Sequence, residues 1–143
     1  GTVCDTPVSS VDFVPTMLEL AGVDQSKVQI DGQSLVPLLT EAGTLSREGI
    51  YWHYPHYHHT SPAGAVRAGD WKLIEYFDEG RVELYNLKDD IGESTDLAQQ
   101  HPQKAQELQH QLVAWRKRVG AKMPTVNPAY DAAKADQFKR RPR

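Results

Sequence analysis

The spacing of apolar residues predicts a helix near the start of the chain. In residues 8–22 apolar side chains recur at intervals of three and four, as on one face of a helix. That face consists of Val11, Val14, Leu18 and Ala21, and it is widened by Phe13, Met17 and Leu20. Ser9 or Ser10 can cap the first turn. Since Pro15 lies too deep for a regular helix that starts there, we expect a kink or a short 3₁₀ turn before it.

A second helical pattern follows Pro102, a residue that suits the first position of a helix. The apolar residues beyond it are spaced three and four apart, and they form a stripe of Ala105, Leu108, Leu112, Trp115 and Val119. A shorter helix is predicted from Ser34, as its cap, through Leu39.

Between these helices the pattern changes to that of strands. Residues 50–54 are β-branched and aromatic, and Pro55 ends that run or forces it to a sheet edge. Residues 65–67 predict a short second strand. Residues 71–77 and 81–87 are the clearest pair, because the loop between them ends in a glycine that suits positive φ. We assign Trp71, Leu73, Val82 and Leu84 to the apolar face of this hairpin, and Lys72, Glu75, Arg81 and Glu83 to its solvent face.

These elements together predict an α+β fold. It consists of a small antiparallel sheet of about four strands, a C-terminal helix packed on that sheet, and an N-terminal helix. We expect residues 1–128 to form the folded domain. Residues 129–143 end in a cluster of basic side chains, and we expect this basic tail to be extended or disordered.

Composition limits the class of protein. The chain has 143 residues, enough for one ordinary domain, and it lacks an apolar run of the length that spans a membrane. Its formal charge of −3 argues against a nucleic-acid binder built on a basic face. Cys4 is the single cysteine, so no internal disulfide can form, and we expect no signal peptide at the start.

Four of the six histidines lie within residues 53–59, where they alternate with aromatic residues. Imidazoles and phenols at this density suit the binding of an oxyanion or, alternatively, of zinc. The spacing does not decide between the two, and the simpler alternative is a strand whose histidines are half-exposed structural residues. Arg67 likewise suits either an anion, bound through two hydrogen bonds, or an ion pair with Glu75 or Glu83.

Other catalytic chemistry has little support in the sequence. Cys4 could act as a nucleophile, but no local signature accompanies it, and a packed, unreactive cysteine is the simpler interpretation. Asp12 is most simply a cap or turn residue. The chain contains no phosphate-binding glycine loop, no nucleophile elbow and no HExxH motif. By its residues alone, it is therefore not a self-sufficient enzyme.

Four blocks of the sequence resemble the formylglycine-dependent sulfatases, and they occur in the order found in that family. They are Cys4–Gly22, Asp31–Leu39, Ala65–Ile74 and Glu83–Asp90. The resemblance covers residues 1–128 and points to bacterial arylsulfatases and the N-acetylgalactosamine-6-sulfatase-like branch. Four ordered blocks are far more specific than any single motif.

The resemblance implies an alkaline-phosphatase-like enzyme of which this chain is the smaller C-terminal subdomain. The parent would hydrolyse aryl or sugar sulfates in the periplasm or outside the cell, using a formylglycine nucleophile and a calcium ion. Cys4 is not the formylglycine precursor, because Thr6 and Val8 stand where the modification motif needs Pro or Ala and then Arg. Calcium and formylglycine are therefore expected in an upstream catalytic domain, and this chain alone is expected to be inactive.

The resemblance also implies that the subdomain borders the substrate cleft, with residues 53–62 facing the sugar or aryl group. No catalytic residue and no metal ligand is assigned to this chain. The expected partners are the missing catalytic domain and a sulfated small molecule or glycan, and the uncovered face of residues 8–22 should promote self-association. The alternatives are a free-standing anion- or carbohydrate-binding module and a His-rich metal-binding domain. The candidate binding residues are His53, His56, Tyr57, His58, His59 and Arg67.

Overall fold

The computed structural model describes residues 1–57 and 60–131. They fall into two units, Gly1–Ile50 and a second unit that begins at Tyr51. The candidate residues His58 and His59 lie outside the described residues, as does the part of the predicted basic tail beyond residue 131. In the described part of the chain, no helix is both long enough and apolar enough to cross a membrane.

The first unit contains two helices, α1 (Phe13–Leu20) and α2 (Val36–Leu39). A 3₁₀ turn at Ser10–Asp12 precedes α1, which confirms the short turn predicted before Pro15. Pro15 is thereby the third residue of α1, where the missing N–H has no partner inside the helix to lose. The helical stretch is shorter than the predicted residues 8–22. For α2, the cap position is Leu35, one residue after the predicted Ser34.

Asp12 is the centre of the first unit. Its side chain is fully buried and accepts hydrogen bonds from the backbone N–H groups of Ser9 at 2.7 Å and Gln33 at 3.0 Å. Arg47 forms an ion pair with the same carboxylate, and its guanidinium lies 2.8 Å from Oδ2. The predicted capping role is confirmed by the Ser9 contact. The sequence did not indicate that the same carboxylate joins three separate segments of the chain.

The apolar face of α1 is largely exposed in this chain. Phe13, Met17 and Leu20 are 53, 66 and 68% exposed, whereas the residues of α1 that are buried are Pro15 and Thr16. Thr16 is buried because its hydroxyl donates to the Asp12 carbonyl and accepts the Leu35 N–H at 2.8 Å. The first unit is thus organised around polar contacts, and its apolar side chains point away from them.

The second unit is built on a four-stranded antiparallel sheet. Its strands are β1 (Ile50–Tyr54), β2 (Ala63–Ala68), β3 (Trp71–Tyr76) and β4 (Val82–Asn86), and they neighbour one another in chain order. The helix α3 (Pro102–Arg118) packs on one face. The predicted fold is confirmed, including the hairpin loop, in which Gly80 has a φ of +65°.

The hydrophobic core lies between α3 and the strands β2, β3 and β4. Its buried members are Val66, Leu73, Leu84, Ala105, Leu108 and Leu112. The predicted stripe of α3 is confirmed at Ala105, Leu108 and Leu112, and Trp115 packs against the same core. Val119 was predicted to belong to this stripe, and that prediction is wrong. It follows the last residue of α3 and is 48% exposed.

Glu75 does not lie on the solvent face of the hairpin, and that prediction is wrong. Side chains alternate along a strand, so Glu75 shares the α3-facing side with Trp71 and Leu73. There it forms an ion pair with Arg116 of α3 at 2.6 Å. Glu83 in turn pairs with Arg81. Arg67 therefore forms neither of the two predicted ion pairs, with Glu75 or with Glu83.

The burial of Asp12 predicts a pH-dependent first unit. Burial alone would raise the pKa of Asp12, but the N–H groups of Gln33 and Ser9 and the Arg47 guanidinium together lower it. The folded state therefore favours the carboxylate, and its contribution is fully present above the unfolded pKa of about 3.9. We expect the free energy of unfolding of this unit to fall as pH drops below about 4. The protection of the Leu35 amide against exchange, measured across pH 2–6, reports this change in stability.

Asp12→Asn should remove most of this pH dependence and should destabilise the first unit at pH 7. The matched control is Asp31→Asn, which changes an exposed aspartate of the same unit and should leave the dependence intact. An unchanged pH profile in Asp12→Asn would show that another group is responsible.

Candidate functional site

The loop between β1 and β2, residues 55–62, carries the chemistry singled out in the sequence. Pro55 follows the last residue of β1 and ends the strand, as predicted. Alternation along β1 divides its side chains between the two faces of the sheet. Tyr51 stacks on Trp115 of α3 with ring centroids 4.9 Å apart. Trp52 and Tyr54 therefore face the other way, and they are 46 and 51% exposed.

His53 is on the α3-facing side of β1, apart from the exposed rings. Its Nε2 lies 2.8 Å from the backbone oxygen of Lys122, in the segment after α3. A carbonyl oxygen only accepts, so Nε2 carries the hydrogen. Nδ1 is buried without a hydrogen-bond partner among the described residues. The imidazole also packs against Phe77, with ring centroids 5.3 Å apart.

His56 and Tyr57 lie in the exposed part of the β1–β2 loop. The His56 ring meets Tyr54 edge-on, with centroids 5.8 Å apart. Tyr57 is 74% exposed, and its hydroxyl donates a hydrogen bond to Asp78 of the hairpin loop at 3.0 Å. A second hydrogen bond joins the same two loops, because the Ser61 hydroxyl donates to the Glu79 carboxylate at 3.3 Å. These bonds hold the β1–β2 loop beside the β3–β4 hairpin loop.

Arg67 lies near the opposite end of β2 from this loop. It stands four positions after Ala63, the first residue of the strand, which corresponds to ~13 Å of extended chain. Its Nε is 3.5 Å from the Gly69 oxygen, a long hydrogen bond. Lys72 stands opposite Arg67 on β3 and pairs with Glu93 at 2.6 Å. The structure therefore places the described candidates in three locations: His53 under the sheet, His56 and Tyr57 in the loop, and Arg67 at the far end.

The hairpin loop brings carboxylates to the β1–β2 loop. Asp78 lies beside Tyr57, and Glu79, which is also paired with Arg81, lies beside Ser61. The hydrogen bond to Asp78 raises the pKa of Tyr57, with smaller contributions from burial and from nearby charges. The phenol therefore stays protonated at physiological pH. Exposed aromatic rings can stack on a sugar or aryl group, and carboxylates can accept hydrogen bonds from its hydroxyl groups.

The described residues form neither a metal site nor the modification motif of a formylglycine nucleophile. Within residues 1–57 and 60–131 there is no group of three or more His, Cys, Asp or Glu side chains that could hold a metal ion. Cys4 is exposed, which contradicts the packed cysteine expected from the sequence. Hydrogen bonds from Thr6 lower the pKa of its thiol.

Arg116 is a buried cation that the sequence interpretation missed. It is 8% exposed, and its guanidinium lies 5.2 Å from the Phe77 ring centroid as well as beside Glu75. The spacing could have identified it, because Arg116 follows Leu112 by four residues and continues the buried stripe of α3.

Comparison with known proteins identifies relatives along most of the chain. Residues 1–119 match the family described as "N-sulphoglucosamine sulphohydrolase, C-terminal". The chain is 32% identical to a sulfatase of Formosa agariphila over 125 residues, which cover 76% of this chain and 23% of that protein. It is 37% identical to arylsulfatase K of Danio rerio over 108 residues, which cover 71% of this chain and 20% of that protein.

A solved structure described as in complex with its substrate D-glucosamine-2-N,6-O-disulfate is similar as well. It has a TM-score of 0.65 and 31% identity, and the match covers 79% of this chain and 24% of that one. The chain spans about a fifth of the length of the curated relatives it matches.

The Tyr57–Asp78 bond predicts the titration of a single phenol. In Asp78→Asn the pKa of Tyr57 should fall toward the ordinary value of about 10, because the carboxylate that favours the protonated phenol is lost. The Cζ chemical shift of Tyr57, followed by NMR between pH 8 and 12, measures this. Asp70→Asn, which changes an exposed aspartate in the β2–β3 turn, is the matched control. Equal pKa values in wild type and Asp78→Asn would contradict the assigned bond.

Proposed function

The chain belongs to the family of C-terminal domains of N-sulphoglucosamine sulphohydrolase-type sulfatases, and we propose that it serves as the C-terminal subdomain of an enzyme that hydrolyses sulfate esters of sugars or aryl compounds. The observation that carries the proposal is the family match over residues 1–119, together with relatives several times longer than the chain. Location in the periplasm or outside the cell belongs to the same proposal.

The catalytic chemistry is assigned to a domain that precedes this one in the parent protein. Cys4 lacks the residues of the modification motif, and the described residues offer no metal site. The formylglycine that attacks sulfur and the calcium ion that holds the sulfate oxygens are therefore proposed to belong to that catalytic domain. The contribution of this chain is to the shape of the substrate cleft.

Within the cleft, we assign the β1–β2 loop to the sugar or aryl part of the substrate rather than to the sulfate. Exposed His56 and Tyr57 provide rings and hydrogen-bond donors. The Asp78 carboxylate beside Tyr57 disfavours an anion there and can accept from sugar hydroxyls. Arg67 suits an anionic group, but it lies ~13 Å along β2 from the loop. It would meet a second charged group of a longer glycan.

The exposed face of α1 is proposed to pack on the catalytic domain. Phe13, Met17 and Leu20 recur at helical spacing and are each more than half exposed, and Val14 adjoins them at 55%. A solvent-exposed apolar stripe of this kind is typical of a surface that is covered in the complete protein.

A binding module that acts without a catalytic domain is the second candidate. It is favoured by the exposed rings of Trp52, Tyr54 and Tyr57, which stand at one end of the sheet. Binding of a sulfated oligosaccharide by the isolated chain, with an affinity equal to that of the full-length protein, would favour this candidate over the subdomain.

The isolated chain is expected to show no sulfatase activity. A chromogenic aryl sulfate with saturating calcium provides the assay, and the full-length sulfatase that carries this domain is the positive control. The reason is the absence of a fitting nucleophile and metal site among the described residues. Turnover above the buffer rate, retained after repurification, would contradict the assignment of catalysis to another domain.

Substitutions in the loop should affect large and small substrates differently. In the full-length sulfatase, His56→Ala or Tyr57→Ala should lower kcat/KM for a sulfated sugar by about 10- to 100-fold, because hydrogen bonds made by the loop are lost. A small aryl sulfate that does not reach the loop should be much less affected. The matched control is His110→Ala, an exposed histidine on α3. Equal losses for both substrates would overturn the role of the loop in recognition.

The uncovered α1 face should make the isolated chain self-associate. Light scattering as a function of concentration should show dimers or larger species, and Met17→Lys should shift the chain toward monomer by placing a charge in the stripe. Val126→Lys, at a position that is 93% exposed and far along the sequence from α1, is the control. A wild-type chain that stays monomeric at all concentrations would count against a covered face.

A further inference from the structure

Beneath the β1–β2 loop lies a buried ion pair. Arg116 and Glu75 have side chains only 9 and 16% exposed, and their charged groups are 2.6 Å apart. Gln109 donates a hydrogen bond to the other carboxylate oxygen at 3.0 Å. Such a pair adds little stability over a well-packed apolar pair, because both ions must be desolvated. Its presence in an otherwise apolar helix–sheet core points to a geometric role.

Phe77 connects this pair to both ends of the loop. The Arg116 guanidinium lies 5.2 Å from the centroid of the Phe77 ring. At the beginning of the loop, the same ring packs on His53, the last α3-facing residue of β1. At its end, the Phe77 N–H donates to the carbonyl of Pro62 at 2.9 Å. One residue therefore holds the chain where the loop leaves the sheet and where it returns.

Gly64 shows how closely the returning strand approaches these two side chains. A Cβ added at this position would lie 3.1 Å from the Phe77 ring and 3.4 Å from a guanidinium nitrogen of Arg116. The backbone of β2 thus rests almost directly on the Arg116–Phe77 pair. The planar guanidinium fills this narrow space and keeps its charge beside Glu75, which a flexible ammonium group does less well.

We propose that Arg116 is a positioning residue for the β1–β2 loop, acting through Phe77 to fix both ends of the loop and hence the presentation of His56 and Tyr57. Its effect on substrate preference rests on the proposed function, in which that loop contacts the sugar or aryl group. Its effect on the loop itself does not depend on that function. The two are therefore tested separately.

The first test uses the 143-residue chain and native-state amide exchange. In Arg116→Lys the charge beside Glu75 is kept but the planar contact with Phe77 is lost. We expect exchange of the residue-77 amide, whose hydrogen bond to the Pro62 carbonyl holds the end of the loop, to accelerate by about tenfold or more. Leu73 and Leu84 in the core should change by less than about twofold. The matched control is Arg118→Lys, an exposed arginine on the same helix, which should change neither set.

Phe77→Leu is the second variant, because it keeps the ion pair and removes the ring that joins the two ends of the loop. It should reproduce the acceleration seen in Arg116→Lys. An unchanged residue-77 amide in both variants would overturn the proposal. Equal acceleration of this amide and of the core amides would overturn it too, since Arg116 would then stabilise the unit as a whole.

The second test measures kinetics in the full-length sulfatase. Arg116→Lys should raise KM for a sulfated sugar by about three- to tenfold and leave kcat for a small aryl sulfate unchanged. If exchange of the residue-77 amide accelerates in the first test but neither substrate is affected here, the loop is not a substrate contact. That result would overturn the proposed role of the loop and the effect on specificity, whereas the positioning of the loop by Arg116 would stand.

Discussion

The packing of α3 on one face of the sheet is the interaction on which the second unit depends. Val66, Leu73 and Leu84 stand side by side on β2, β3 and β4, and Leu108 and Leu112 cover them. Each such aliphatic side chain contributes about 1.5–3 kcal/mol on burial. Pairing Leu73 with both Val66 and Leu84 also fixes the register, because a slip of one residue would bring the opposite face of the strand into the core.

The same packing decides which side chains are available for recognition. Tyr51 and His53 point toward α3. Tyr51 contacts Trp115 of α3, and His53 contacts the Lys122 carbonyl in the segment that follows α3. Trp52 and Tyr54 are on the outer face and remain half exposed. The cluster of aromatic residues and histidines in the sequence is therefore two sets of residues with different surroundings, and only the second set is exposed on the outer face.

The sequence predicted what depends on local pattern and missed what depends on partners distant in the chain. The β3–β4 hairpin was identified because Gly80 and the flanking alternation are local signals. Glu75 was placed on the wrong face because its charge was given more weight than its position two residues after Leu73. Its burial depends on Arg116, which is 41 positions further along the chain. The site was only partly predictable, since Arg67 follows the loop closely in sequence but lies near the opposite end of the extended strand β2.

The way the β1–β2 loop is held has a consequence for how a domain of this kind can diverge. Its two ends are fixed by Phe77, by the Pro62 carbonyl and by His53, all of which lie at the margin of the loop or outside it. The exposed residues between them take no part in the core. A gene lineage can therefore exchange the side chains at these positions without first having to acquire compensating changes in the scaffold.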